Sequence, residues 1–252
     1  MKAILAIDQG TTSTRAIAFS VNGKKLHSSQ IEFKQYFPRN GWVEHDPNEI
    51  WKATLKVIKE VIKGGNKKNI KILTIGITNQ RETTVMWDKT NGKPVYKAIV
   101  WQDRRTEKLC QNLKKNNFEN KIRNKTGLFL DPYFSATKIK WIINNVKKAK
   151  KLLKNKKLLF GTIDTYLIWK LTNGKIHATD ATNASRTMLY NINNNSWDKE
   201  ILKILRIPTH ILPILKNTAD NYGFAEKSII GKKIPISGVV GDQQAATIGQ
   251  CC

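Results

Sequence analysis

The opening of the chain, Ala3-Ile4-Leu5-Ala6-Ile7-Asp8-Gln9-Gly10-Thr11-Thr12-Ser13-Thr14-Arg15, limits its fold more than any other segment. Residues 3–7 are an unbroken apolar run, the pattern of a buried strand, and they give way abruptly to a carboxylate, a glycine and a row of hydroxyls. Apolar alternation resumes at Ala16, Ala18 and Val21. Asn22-Gly23 then predicts a hairpin turn into a further strand over 26–33. The polar loop therefore joins two strands, unlike a P-loop, whose phosphate cradle opens a helix. Gly10 lets the backbone turn tightly, so that successive N–H groups and the hydroxyls of Thr11, Thr12 and Ser13 can converge on one anion. Asp8, at the strand end, is placed to hold a divalent cation through water, because Mg²⁺ keeps part of its hydration shell. An ordinary hairpin turn with an Asp at its mouth is the competing reading of the stretch taken alone.

A strand-to-strand phosphate loop of this kind resembles the first phosphate loop of the sugar kinase, hexokinase and actin group of ATPases. The bulk properties agree with a folded domain of that size. A chain of 252 residues can bury a sizeable core, and 40% hydrophobic content with seven Trp argues against disorder. No apolar stretch approaches the length of a membrane span, and the N-terminus enters a strand without a signal-peptide cleavage site. Cys110, Cys251 and Cys252 make no disulfide framework, so a cytoplasmic location is expected. The formal charge of +25 suggests a polyanion partner, yet only eight of the 44 cationic residues are Arg. Arg is the residue suited to bidentate phosphate and base recognition. The lysines are dispersed, as at 154–157, and read as a solvated surface; no specific nucleic-acid partner is expected.

Further along, Asp46 makes an N-cap, Pro47 a first helical residue and Glu49 a capping-box partner. The helix is predicted to run to about Lys63, with Trp51, Leu55, Ile58 and Ile62 on one face and Gly64-Gly65 ending it. Residues 70–78 read as a buried strand, and 84–87 with 95–101 as a hairpin closed by Thr90-Asn91-Gly92. Helical spacing then marks 104–116, 135–153, 162–171 and 198–205, with a short strand near 176–178. Residues 234–240 form a last apolar strand, and Asp242 opens a helix. Strands first, then helices, then a strand predict an α/β domain built on a central mixed sheet flanked by helices.

Asp242 is the second carboxylate placed at a strand end, and it also lies at a helix N-terminus, where the helix dipole favours the ionised form. Two carboxylates at sheet termini, one of them beside a phosphate loop, suit Mg-assisted phosphoryl transfer to an alcohol. A plain helix cap is the structural reading of Asp242 alone. Arg81 and Glu82 follow the 70–78 strand, and a guanidinium fork beside a carboxylate can grip neighbouring hydroxyls; an exposed ion pair is the alternative. Trp101 could cover the carbons of a small polyol or pack in the core. Tyr133, after Asp131-Pro132, offers a phenol.

Several blocks in order along nearly the whole chain resemble the glycerol kinases of the FGGY carbohydrate kinase family. They include Asp8-Gln9-Gly10-Thr11-Thr12-Ser13-Thr14-Arg15, Gly41-Trp42-Val43-Glu44-His45-Asp46-Pro47, Asn79-Gln80-Arg81-Glu82-Thr83, Trp101-Gln102-Asp103-Arg104-Arg105, Gly161-Thr162-Ile163-Asp164-Thr165 and Asn183-Ala184-Ser185-Arg186-Thr187. The resemblance implies a ribonuclease-H-like fold of the actin and hexokinase type, and Mg²⁺- and ATP-dependent phosphorylation of glycerol to sn-glycerol 3-phosphate. It implies that Arg81, Glu82, Tyr133, Asp242 and Gln243 bind glycerol with Trp101 against its carbons. Thr11, Thr12, Ser13 and Arg15 would meet the nucleotide phosphates, Asp8 would serve the metal, and Asp242 would be the general base.

Family members resemble two such domains flanking a cleft, in a chain about twice as long. Residues 1–252 are therefore expected to form the N-terminal kinase domain, with the adenine pocket and closing wall belonging to a second domain absent from this sequence. The expected partners are glycerol, ATP and either a separate C-terminal half or a second copy of the chain, and low activity is expected of the chain alone. A non-catalytic remnant, or a basic anion-binding protein on the same fold, is the alternative.

Overall fold

The computed structural model describes residues 1–67 and 69–252. Three antiparallel strands open the chain: β1 (Lys2–Gln9), β2 (Ser13–Ser20) and β3 (Lys25–Glu32). Helix α1 (Pro47–Lys67) then leads to β4 (Lys71–Asn79), which returns parallel to β1. Helix α2 (Ile163–Leu171) packs against β4. Two late strands, β5 (Phe224–Ala225) and β6 (Ile234–Gly241), complete a six-stranded sheet in the order β5-β6-β4-β1-β2-β3. Helix α3 (Asp242–Gly249) follows at once. A mixed sheet flanked by helices, three antiparallel strands continued by two parallel ones and an antiparallel edge strand, is the ribonuclease-H-like architecture expected from the sequence.

The apolar pattern explains the layers. Ala3, Leu5 and Ile7 of β1 alternate inward and are fully buried, as are Ala16 and Ala18 of β2. The buried face of α1 is Ile50, Val57, Ile58 and Val61, each with no exposed surface, and each contributes about 1.5–3 kcal/mol relative to an exposed side chain. Trp51 and Leu55 lie at the margin of that face, only partly buried. A second apolar cluster, including Met86, Ile139, Leu158, Phe160 and Leu189, sits among the helices between β4 and β5.

The parallel arrangement of β1, β4 and β6 decides where chemistry can occur. Gln9 stands in register with Asn79, and Asn79 with Gly241. The three carboxyl ends therefore lie side by side, and the segments that follow them emerge along one edge of the sheet. Ligands of open α/β sheets bind outside such ends.

Several local expectations are corrected. The first turn is Val21-Asn22-Gly23, closed by the Ser20 N–H donating to Lys24 O at 2.8 Å, with Gly23 at φ 79°, and a bulge between Ala18 and Phe19 adjusts the register beyond it. Gly64-Gly65 does not end α1. At Gly64 an added Cβ would lie 2.2 Å from His27 Nε2, so the glycine marks a close approach of β3. Glu49 makes no capping box; it accepts the Tyr36 hydroxyl at 2.6 Å, while Asp46 Oδ1 takes the Asn48 amide at 2.8 Å. The predicted 84–87/95–101 hairpin survives only as isolated bridges, and Val85–Asp88 pairs instead with Leu158–Gly161. The long helix over 135–153 is broken at extended Val146 into Ser135–Asn145 and Lys147–Lys154. The helix Glu119–Thr126 was not expected, its polar sequence giving little periodic signal. Among the described residues no helix is long and apolar enough to cross a membrane.

Candidate active site

The loop after β1 is closed by the Gly10 N–H donating to Ser13 O at 2.9 Å. Two neighbours set its hydroxyls. Trp101 Nε1 donates to Thr11 Oγ1 at 3.1 Å, and Gln30 Nε2 donates to Ser13 Oγ at 3.0 Å. Both are donors only at those atoms, so each hydroxyl keeps its own proton free to donate outward. Thr12 is exposed. Gln30 Oε1 also accepts from Arg15 Nε at 2.9 Å, which fixes the Arg15 stem beside the loop. The result is a donor-rich turn with a cation on its flank, the arrangement that stabilises an oxyanion.

Asp8 lies opposite Arg15 in the β1–β2 register. Burial holds the Asp8 carboxyl above the usual carboxylate range; Arg15 opposes that effect and the nearby Asp242 adds to it. The two strand-end carboxylates thus feel one another. Among the described residues no group of three or more His, Cys, Asp or Glu could hold a metal ion. A cation that needs a complete protein cage does not fit here. Mg²⁺, which keeps several waters and uses one or two carboxylates together with phosphate oxygens, does fit Asp8.

Beyond β4 the backbone makes a tight turn. The Thr83 N–H donates to Arg81 O at 2.6 Å, around Glu82 at φ 60°. This left-handed conformation is uncommon for a residue with a long side chain and carries strain. It is held by Ser135 Oγ, which donates to Glu82 O at 2.8 Å. The turn sends Arg81 and Glu82 in different directions. Arg81 Nε donates to Asp242 Oδ1 at 3.2 Å, and its Nη1 to Gln244 Oε1 at 3.3 Å. Gly241 allows this, since an added Cβ would lie 2.4 Å from Arg81 Cδ. Glu82, 2% exposed, accepts Arg186 Nε at 2.7 Å. Burial raises the Glu82 pKa, and Arg186, then Arg81 and Lys138, pull it back.

Asp242 is the first residue of α3, not its cap; Gly241 holds the cap position. Its Oδ1 accepts Arg81 Nε and the Gln243 amide, the latter at 2.8 Å. Among the described residues Oδ2 has no protein partner. Trp101 and Tyr133 pack with ring centroids 5.4 Å apart, and Tyr133 also meets Phe134. The Tyr133 phenol is raised, first by burial and then by Glu82. A cleft of about 590 Å³ runs against Tyr133, Phe134 and Arg186 and is lined also by Arg104 and Asp131.

The structure therefore gathers Asp8, Thr11, Ser13, Arg15, Arg81, Glu82, Trp101, Tyr133 and Asp242 around the joined strand ends. Gln243 is exposed, and among the described residues its side chain makes no hydrogen bond to them, while Gln244 reaches Arg81. Sequence reasoning missed three supporting residues. Gln30 orients the loop and Arg186 pairs Glu82 from within a block already noted. Gln80 donates to Gly10 O at 3.0 Å and to Gln9 Oε1 at 3.1 Å.

Among curated proteins the chain is similar to the glycerol kinase of Petrotoga mobilis, 58% identical over 251 residues. It is also similar to that of Chelativorans sp., 57% identical over 249 residues. These matches take in 100% and 99% of this chain but 50% of each relative, so the chain spans about half the length of the curated relatives it matches. Among solved structures it is similar to Plasmodium falciparum glycerol kinase with ADP, with a TM-score of 0.97 and 41% identity over 100% of this chain and 50% of that one. Gluconate kinase from Lactobacillus acidophilus follows the same path with a TM-score of 0.84 and 26% identity, over 98% of this chain and 49% of that one. Residues 3–249 match the N-terminal domain of the FGGY family of carbohydrate kinases, and the chain belongs to that family.

Proposed function

We propose that this chain supplies the glycerol-binding and phosphate-binding half of an ATP-dependent glycerol kinase, forming sn-glycerol 3-phosphate. One observation carries the reading: a guanidinium–carboxylate pair, an aromatic wall and a partly free carboxylate meet beside a loop whose hydroxyl protons are left to donate.

In this reading Arg81 donates to, and Glu82 accepts from, hydroxyls of the triol, while Tyr133 offers its phenol and Trp101 lies against the carbons. Gln243, exposed at the start of α3, is available to a further hydroxyl. Asp242 Oδ1 is tied to Arg81, which leaves Oδ2 to accept the proton of the attacking hydroxyl. Thr11, Thr12, Ser13 and Arg15 stabilise the transferring phosphate oxygens. Asp8 would hold Mg²⁺ through water, and the bound ion would neutralise charge on the phosphates. Positioning and charge neutralisation are the main contributions, and proton removal by Asp242 is the smaller one.

The chain spans about half of its relatives, and the adenine pocket and closing wall are assigned to a second domain. The 252-residue chain alone is then expected to bind glycerol but turn over slowly, because closure around substrate needs both sides. Calorimetric titration with glycerol, xylulose and gluconate tests the reading, with Arg81→Ala as the control. Binding of glycerol in preference to the others, lost in the variant, supports it; preference for xylulose or gluconate overturns glycerol as the substrate.

A further inference from the structure

Asp180 is buried completely, and among the described residues it makes no ion pair; Lys216, its register partner, pairs with Asp220 instead. A buried carboxylate is costly unless hydrogen bonds compensate it, and here they do. Its Oδ2 accepts the Thr182 amide at 3.1 Å, the Thr182 hydroxyl at 2.7 Å and the Thr218 hydroxyl at 2.9 Å. Its Oδ1 accepts the Asn183 amide at 3.0 Å and Asn183 Nδ2 at 2.9 Å. An ionised carboxylate only accepts, so every neighbour must turn a donor toward it.

That polarity propagates to the site. Thr182, having given its proton to Asp180, accepts the Gly241 N–H at 2.7 Å, directly before Asp242. Asn183, having given Nδ2 to Asp180, presents Oδ1 to Asn79 Nδ2 at 3.0 Å, directly before Gln80 and Arg81. Thr218, the third donor, has its carbonyl on the Val239 amide of β6 at 2.9 Å. One carboxylate thus ties the carboxyl ends of β4 and β6, the strands that deliver Arg81 and Asp242.

We propose that Asp180, acting through Thr182 and Asn183, is a positioning residue that fixes the spacing of Asp242 and Arg81 around the polyol. This inference rests on the glycerol-binding reading above.

The test is a glycerol titration of the full 252-residue chain and of Thr182→Val, which keeps the shape and removes the hydroxyl. The expected loss is about 10-fold in affinity, the effect of one broken hydrogen bond beside the site. Thr182→Ser, which restores the hydroxyl, should stay within about 3-fold of wild type. Thr54→Val is the control: that buried threonine bonds Ile50 O within α1 and hydrogen-bonds none of the site residues, so its loss should lower stability without touching affinity. A cycle with Asp242→Asn separates positioning from general damage, because Thr182→Val should cost little further affinity once Asp242 is changed. Additive losses, or wild-type affinity in Thr182→Val, overturn the proposal while leaving the glycerol reading intact. Failure of the wild-type chain to bind glycerol removes both. Amide exchange at Gly241 in the wild-type chain needs no variant: protection is expected, and rapid exchange refutes the clamp.

Discussion

Replacing Arg186 by Met keeps a flexible apolar stem against Phe134 and removes the charge from Glu82. The Arg186 side chain is 26% exposed and that of Glu82 only 2%, joined at 2.7 Å. Breaking a fully buried pair costs about 3–5 kcal/mol, and the partial exposure of Arg186 brings the expected loss to about 2 kcal/mol. The carboxylate relieves part of that cost by taking up a proton. Burial already raises its pKa, and the other groups facing it are Arg81, Lys138 and the Tyr133 phenol. Lys138, itself fully buried and brought down to about 7, is a weak substitute for a guanidinium. The sign follows directly. A raised folded pKa means that stability from this group is lost as pH rises through that value, so Arg186→Met should be most destabilised at alkaline pH. On the proposed reading glycerol affinity runs the other way: Glu82 binds as the carboxylate, so the acid-side midpoint should move to higher pH in the variant. Calorimetry across the neutral range, paired with thermal melts, reads both. Glu82→Gln in the Arg186→Met background should restore stability without restoring affinity. Coincident acid-side midpoints for wild type and Arg186→Met would show that Arg186 does not control the charge of Glu82, and the reasoning fails.

Trp101→Phe keeps the aromatic wall but removes the indole N–H from Thr11; ADP affinity should fall by about 3- to 10-fold with glycerol affinity nearly unchanged, whereas Trp101→Ala should weaken both. Asp164 is fully buried and raised to about 6 by burial, against the hydrogen bonds from Thr162 and Thr179. Its stabilising contribution is therefore complete at acid pH and lost as pH rises from about 4 to 6. Asp164→Asn should remove up to about 3 kcal/mol of that slope, read from denaturant midpoints against pH. Gly64→Ala should destabilise by about 1 kcal/mol despite the better helix propensity of Ala, because its Cβ meets His27. A melt of the His27→Ala, Gly64→Ala double variant should show the loss reversed.

What the sequence disclosed and what it hid follow from the range of the interactions involved. The strand-loop-strand opening is legible, and so, to within one residue, are the strand ends at Asn79 and Gly241, because alternation, glycine and hydroxyl clusters are local signals. Gln30 was within reach of the same logic. Pairing residues outward from Asn22-Gly23 sets Arg15 opposite Gln30, and the bulge at Ala18 and Phe19 compensates the extra residue of the real turn, so that register holds. The pairing of Val85–Asp88 with Leu158–Gly161 was not within reach, because a short apolar strand has no local mark that distinguishes a neighbour seven residues on from one seventy residues away. Arg186 and Asp180 are of that second kind. Their chemistry depends on donors and acceptors from four separated segments, and only the parallel register of β1, β4 and β6 brings those segments to one edge. The groups proposed to react announce themselves in the sequence, since each is a particular functional group at a strand end. The groups that hold them in place are recognisable only once the strand order is known, because a buried Asp or Arg earns its meaning from what surrounds it.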